Sequence, residues 1–199
     1  MLSYKDFWEK IYNMCALFVR GQLYFPIILN TNKEVLIIGA GNVSLRKTKK
    51  LLEFTDKIKV VSSDFHSDFN NLNIKKIKMD INEENFPTLL SEELSFVILS
   101  LDNKELNRKL CSICKKNKIM VNVVDDKELS DIIFPAVIER ENLLVAISTK
   151  GECPYYSKKL KEEIAEFIDG KDKEAKILIN ARKKGDKLDN AYEKIKRGL

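Results

Sequence analysis

The chain has 199 residues, 44% of them hydrophobic, enough to bury a full core and to hold one nucleotide-sized domain of ~120 to 150 residues with a smaller appendage. Its 35 basic residues against 30 acids give a net charge of +5 and a mildly basic, mixed surface, which suits a polyanionic small molecule as well as it suits nucleic acid. The longest apolar run falls short of the ~18 residues that cross a bilayer and the four cysteines sit in a chain with no secretory pattern, so a cytoplasmic protein with reduced thiols and a small-molecule partner is expected.

Residues 1–22 read as an amphipathic helix, with Phe7, Trp8, Ile11, Cys15 and Phe18 at helical spacing and Lys5, Asp6, Glu9, Lys10 and Arg20 elsewhere on the wheel. Such a helix packs on the main domain or on a partner subunit. Tyr24-Phe25-Pro26-Ile27-Ile28-Leu29 and the polar Asn30-Thr31-Asn32-Lys33 then lead into a strand at Val35-Leu36-Ile37-Ile38. That strand ends in Gly39-Ala40-Gly41, and the chain continues as the lysine-rich Asn42-Val43-Ser44-Leu45-Arg46-Lys47.

A dinucleotide site asks for these residue types. Gly39 permits a tight turn off the strand, and Gly41, lacking a Cβ, lets the backbone approach a pyrophosphate at the N-terminus of the next helix, where free N–H groups and the helix dipole favour negative charge. Ser44 takes the third fingerprint position, small enough for close helix-to-strand packing and able to bond back into the helix. The competing reading is an ordinary glycine turn in an α/β protein.

Further strands are expected at 58–62, 74–79, 96–101 and 119–124, with helices at 46–54 and 104–116, an alternation that predicts a parallel sheet covered on both faces. Ligands of such sheets lie beyond the carboxyl ends of the strands. Gly39, Ser62-Ser63-Asp64, Leu101-Asp102-Asn103 and Asp125-Asp126 are therefore expected to converge on one crevice. Asp125, directly after an apolar strand, is a candidate proton acceptor if partly desolvated, or else a turn or cap aspartate; Asp126 reads as the turn residue. Asp64 is the late acid for the adenosine ribose, and no arginine stands at that turn to take a 2′-phosphate, which favours NAD over NADP. Cys111 and Cys114 share a helix face with Leu110 and Ile113 and read as core rather than as a metal or redox pair. His66 is the single histidine and reads as a surface residue after the second strand.

From Asp131 the pattern becomes a hairpin, 132–138 and 143–148 around a short polar loop, with Pro135 at a strand start or edge. Beyond Pro154 the chain reads as charged helix with Gly170, Gly185 and Gly198 as breakpoints. Its lysines are a solvated face, with Lys158 and Lys159 the candidates for meeting substrate carboxylates.

Three stretches taken together carry a family resemblance: Tyr24-Phe25-Pro26-Ile27 with Gly39 to Lys47, Val121 to Asp126, and Phe134-Pro135-Ala136-Val137-Ile138 running on to Ala146 through Pro154. In colinear order over residues 24–165 they resemble the precorrin-2 dehydrogenase family of sirohaem synthesis, some of whose members also insert iron into sirohydrochlorin. The resemblance implies an α/β Rossmann-like parallel sheet over residues 23–126, a hairpin dimerisation region over 127–153 and a helical C-terminal region over 154–199, in a homodimer. It implies NAD-dependent oxidation of precorrin-2 to sirohydrochlorin. Matched by motif, Gly39, Gly41, Asn42 and Val43 would hold the pyrophosphate, Ser63 and Asp64 the adenosine side, Asp102 would flank the cofactor, and Asp125 would be the general base. The chain departs from the family at Leu101, where a threonine is common, at Cys153, in place of a serine before Pro154, and at Tyr155-Tyr156, in place of a smaller pair. One histidine and no soft-ligand cluster give iron insertion no support of its own. The competing class is a dinucleotide-sensing module without catalysis, which would have no need of Asp125 or of the Phe134-Pro135 hairpin.

Overall fold

Glu34–Ile38 forms strand β1, and its continuous apolar run is explained by burial on both sides: Val35 and Ile37 enter one hydrophobic cluster, Leu36 and Ile38 the other. The computed structural model describes residues 28–29 and 32–197. The helix expected over residues 1–22 and the Tyr24-Phe25-Pro26 lead lie outside the described residues. The chain divides into two units, residues 1–30 and 31–199, and the fold is that of the second.

After β1 come helix α1 (Asn42–Leu51), β2 (Ile58–Ser62), β3 (Lys75–Lys78), β4 (Leu94–Leu99), α2 (Lys104–Lys116) and β5 (Val121–Val123). The five strands are all parallel in the order β3-β2-β1-β4-β5, the doubly wound arrangement expected from the alternation. On one face α2 packs Leu110, Cys111 and Cys114 against Leu36, Val97 and Leu99; on the other α1 packs Leu45 against Ile37, Val60 and Ile98. Each of these fully buried aliphatic side chains contributes roughly 2 kcal/mol of transfer free energy.

Helix α1 begins four residues earlier than its expected start at 46, immediately after Gly41, and stops at Leu51 rather than at 54. Its first turn, Asn42 to Leu45, is therefore helical and points its N–H groups at the glycine turn. Strand β5 is three residues long rather than six, and its open edge is covered by residues 130–132, the last of them expected to open the hairpin strand. Asp131 N–H donates to the Val121 carbonyl at 2.8 Å, Val121 N–H to the Asp131 carboxylate at 3.1 Å, and Asn122 Nδ2 to the Ile132 carbonyl at 2.8 Å.

The hairpin proper is β6 (Ala136–Glu139) against β7 (Leu144–Ile147), antiparallel, with Arg140 N–H closing the loop onto the Leu143 carbonyl at 2.9 Å. Pro135 immediately precedes β6, where its missing donor costs nothing. Helix α3 (Pro154–Lys184) then runs for 31 residues, and α4 (Leu188–Lys196) packs back on it. Gly170 does not break α3: it sits exposed in the helix, at a cost of about 1 kcal/mol relative to Ala that packing of the opposite face offsets. Gly185 does end it, in a left-handed cap with φ +78°, whereas Gly198 lies outside the described residues. The hairpin is tied to α3 by an Arg140–Asp169 ion pair and by Asn142, whose N–H and side-chain amide donate to Asp172 at 2.8 and 3.1 Å. No helix among the described residues is long and apolar enough to cross a membrane.

Candidate functional site

The carboxyl end of β1 is the centre of the site. Gly39 has φ +98°, and a Cβ there would lie 2.5 Å from the Ser100 carbonyl oxygen, so both the backbone conformation and the adjoining β4 loop demand glycine. Its N–H donates to the Val61 carbonyl of β2 at 2.8 Å, and Ser100 N–H donates to the Ile38 carbonyl at 2.9 Å, which ties the ends of three strands together. Gly41 differs. Its φ is ordinary at −82°, and a Cβ there would meet no protein atom within 4 Å. The protein itself has no need of glycine at this position, but a ligand lying on the backbone would.

Gly41 is the N-cap of α1; no side chain caps that terminus and no acid stands in the first turn. The donors of Asn42 and Val43 thus open onto an uncapped helix N-terminus suited to an anion. Ser44 is fully buried as the third fingerprint position requires. Its hydroxyl, however, does not bond back into the helix as expected: among the described residues Ser44 Oγ, Thr48 Oγ1 and Asn122 Oδ1 are buried without a hydrogen-bond partner.

Beside the glycine turn lies a cleft of about 270 Å³ lined by Ser62, Ser63, Met79, Asp80, Leu101 and Asp102 among others. It brings together Ser63 and Asp102, as expected. Asp64 is exposed and does not line it, while Asp80, at the end of β3, does. Sequence reasoning missed Asp80 because the strand-end rule was applied to four strands and not to β3. It also missed Asn107, a buried α2 residue whose side-chain oxygen accepts from Leu101 N–H at 3.3 Å and whose amide donates to the Leu101 carbonyl at 2.8 Å, fixing the shape of the cleft wall.

On the other side of β4, Asp125 follows β5 with φ +60°, a left-handed conformation that aspartate tolerates. The turn is braced by its neighbours. Ser130 Oγ accepts from Val123 N–H at 2.9 Å and donates to the Asp126 carbonyl at 2.8 Å, while the Asp126 carboxylate accepts from Leu129 N–H at 3.2 Å. Asp126 is therefore the turn residue, as expected, and the Asp125 carboxylate makes no hydrogen bond or ion pair among the described residues. Asp125 is exposed, so the chain alone does not supply the partial desolvation anticipated for it.

Lys47 of α1 reaches the same side. Its ammonium lies 4.5 Å from the centre of the Phe134 ring, which stands edge-on to Phe96 at 5.9 Å. Burial pulls the Lys47 pKa down to about 8, the neighbouring Arg46 adds to the effect, and Asp125 opposes it. From β3 to β5 the strand ends thus carry Asp80, Ser62-Ser63, Gly39-Gly41, Asp102 and Asp125 in spatial order. By strand spacing β2 and β5 lie roughly 14 Å apart, the scale of an extended dinucleotide.

The remaining candidates fall elsewhere. Lys158 and Lys159 both face Glu162, at 3.9 and 2.9 Å, on the exposed side of α3. Cys111 and Cys114 are buried in the core as expected, and burial raises the Cys114 thiol to about 12. His66 accepts from Asp68 N–H at 3.2 Å, capping a short turn. No group of three or more His, Cys, Asp or Glu residues is placed to hold a metal among the described residues.

Residues 27–136 match the family model described as putative NAD(P)-binding. Among curated relatives, a siroheme synthase of Buchnera aphidicola is 32% identical over 149 residues, 74% of this chain and 31% of the relative. A siroheme synthase of Baumannia cicadellinicola is 33% identical over 148 residues, 73% of this chain and again 31% of the relative. The chain therefore spans about a third of the length of these relatives. Among solved structures, SirC, a precorrin-2 dehydrogenase, shares the fold with a TM-score of 0.61 at 22% identity, covering 80% of this chain and 79% of its own.

Proposed function

We propose that this chain, which belongs to the putative NAD(P)-binding family, is an NAD-dependent precorrin-2 dehydrogenase that forms sirohydrochlorin. The observation that carries the reading is the pairing of an open Gly41 backbone beneath the uncapped α1 N-terminus with an unpartnered Asp125 two strands away. The siroheme synthase relatives and the fold shared with SirC support the substrate class.

When bound, NAD supplies the hydride acceptor. Gly39 shapes the turn, and the N–H groups of Asn42 and Val43 with the Gly41 backbone hold the pyrophosphate. Ser63, Asp80 and Asp102 line the cleft that would receive the adenosine ribose, and Asp64, which the resemblance assigns to it, stands outside that lining. Carboxylates there accept from ribose hydroxyls and repel a 2′-phosphate, which selects NAD over NADP. Asp125 would take the proton that leaves the macrocycle as the hydride departs, so two covalent bonds to hydrogen break and the electron pair leaves with the hydride for the nicotinamide acceptor. The net positive charge draws the polycarboxylate substrate toward the mouth. Residues 23–126 bind the cofactor, 127–153 make the contact between two copies of the chain and 154–199 form the helical region, in a cytoplasmic homodimer.

Protein mixed with precorrin-2 and NAD should develop the absorption of sirohydrochlorin. Asp125→Asn should keep NAD affinity and lose about 10²- to 10⁴-fold in turnover; wild-type turnover in that variant moves the base elsewhere. NAD binding without any turnover in the native chain would favour the sensing module. Iron insertion, which the resemblance also implies, is a separate assay: sirohydrochlorin with ferrous ion, followed against the uncatalysed rate.

A further inference from the structure

We propose that Lys47 is a substrate-binding residue of this site: its ammonium, seated on the Phe134 ring beside Asp125, receives one carboxylate of the tetrapyrrole. This rests on the dehydrogenase reading and assigns to it a residue that the dinucleotide motif contains but leaves without a role.

The placement comes first. Lys47 lies in the second turn of α1, and its ammonium reaches the ring of Phe134, which stands edge-on to Phe96 of β4, while Asp125, from the loop after β5, is close enough for its charge to act on it. Its neighbours on the same helix behave differently: Lys49 pairs with Asp68 at 3.0 Å and Lys50 with Glu53. Lys47 has no acid at ion-pair distance among the described residues, only the face of an aromatic ring.

That ring attracts the cation without neutralising it and occupies no oxygen acceptor, so the N–H donors of the ammonium remain directed at whatever enters. Two charged groups act on it, Arg46 from its own helix and Asp125 from the β5 loop. Arg46 repels it and Asp125 holds it from a distance greater than an ion pair. Burial strips part of its water, and a poorly hydrated cation gives a shorter, stronger bond to a carboxylate than a solvated one does. The mouth then offers an acceptor for the departing proton and, beside it, a donor for an anionic side arm, two groups whose separation orients the macrocycle.

The test uses the full chain with saturating NAD and three readouts: the Kd for sirohydrochlorin, which retains the carboxylates, by fluorescence quenching; KM and kcat with precorrin-2; and NAD affinity. Lys47→Met should raise Kd and KM by about tenfold or more with NAD affinity unchanged, and Lys47→Arg should restore binding to within about threefold. In the native chain binding should weaken as pH rises through about 8, where Lys47 gives up its proton, while Lys47→Arg should hold its affinity there. A folded Lys47→Met with native Kd overturns the proposal. So does a loss confined to kcat, which would make Lys47 a positioning residue for Asp125. If the native chain neither binds sirohydrochlorin nor oxidises precorrin-2, the dehydrogenase reading itself falls and takes the proposal with it, an outcome distinguished by the failure of the native protein rather than of the variant.

Discussion

A half-buried ammonium without an anion is a cost to the fold, and Lys47 carries it. Its pKa lies near 8 in the folded chain against 10.5 for a free lysine, so folding disfavours its charged form. Below pH 8 both folded and unfolded chains hold the proton and the penalty is fully present; between about 8 and 10.5 the unfolded chain binds more protons, and stability rises with pH. The shift corresponds to at most about 3 kcal/mol, part of which the Phe134 face recovers. Lys47→Met should therefore stabilise the chain by about 1 to 3 kcal/mol in denaturant titrations at pH 7, and the gain should shrink toward pH 10.5. An unchanged midpoint at pH 7 would contradict this. Stability surrendered at a mouth residue fits a group kept for binding.

The two glycines separate structure from function at the same scale. Gly39→Ala forces a Cβ to 2.5 Å from the Ser100 oxygen at φ +98°, and should lower stability by at least about 2 kcal/mol. Gly41→Ala meets nothing in the protein, so its thermal midpoint should stay near native while NAD affinity drops about tenfold or more. Melting curves and NAD titrations of the two variants should show these opposite signatures; parallel losses would mean that Gly41 serves the fold.

Among elements, those with a complete local signal were legible. Strands β1 and β2 and helix α2 lie where β-branched runs and 3.6-residue periodicity predict them, because the strands are buried along their length and the helix buries one continuous stripe. Local patterns misled where a distant segment supplies the bonds. Ile132 and its neighbours look like hairpin strand, yet 130–132 line the β5 edge through Asp131 and Asn122 side chains. Gly170 looks like a break, yet the hairpin clasps α3 on both sides of it through Asp169 and Asp172. Asn107 shows what one such side chain is worth to an element: its two bonds secure the Leu101 loop at both N–H and carbonyl. Asn107→Ala should cost about 1 to 3 kcal/mol and weaken NAD binding, read by melting and by titration; native NAD affinity in that variant would separate the Leu101 loop from the cofactor cleft.

At the scale of the molecule, one face of the hairpin is left uncovered by the described residues. Ile138 is buried against α3, while Val137, Glu139, Leu144 and Ala146 share the opposite face and Leu144 is 44% exposed. A two-stranded sheet whose outer face carries three apolar side chains around a single acid is a poor end state in water, which supports the proposed association of two copies through this region. Leu144→Glu should convert a dimer to monomer in sedimentation velocity at micromolar concentration; a native monomer would remove the homodimer from the reading.

The residues of the glycine turn after β1, the strands that lead to it and the acid after β5 could be named from the chain because their signals are local: a β-branched run, a glycine where φ must be positive, a charge at a strand end. The joining of β4 to β1, the place of Asp80 in the wall of the cleft, and the meeting of Lys47 with Phe134 could not. Those contacts link segments far apart along the backbone, and parallel pairing and side-chain burial set them only once the whole sheet is assembled.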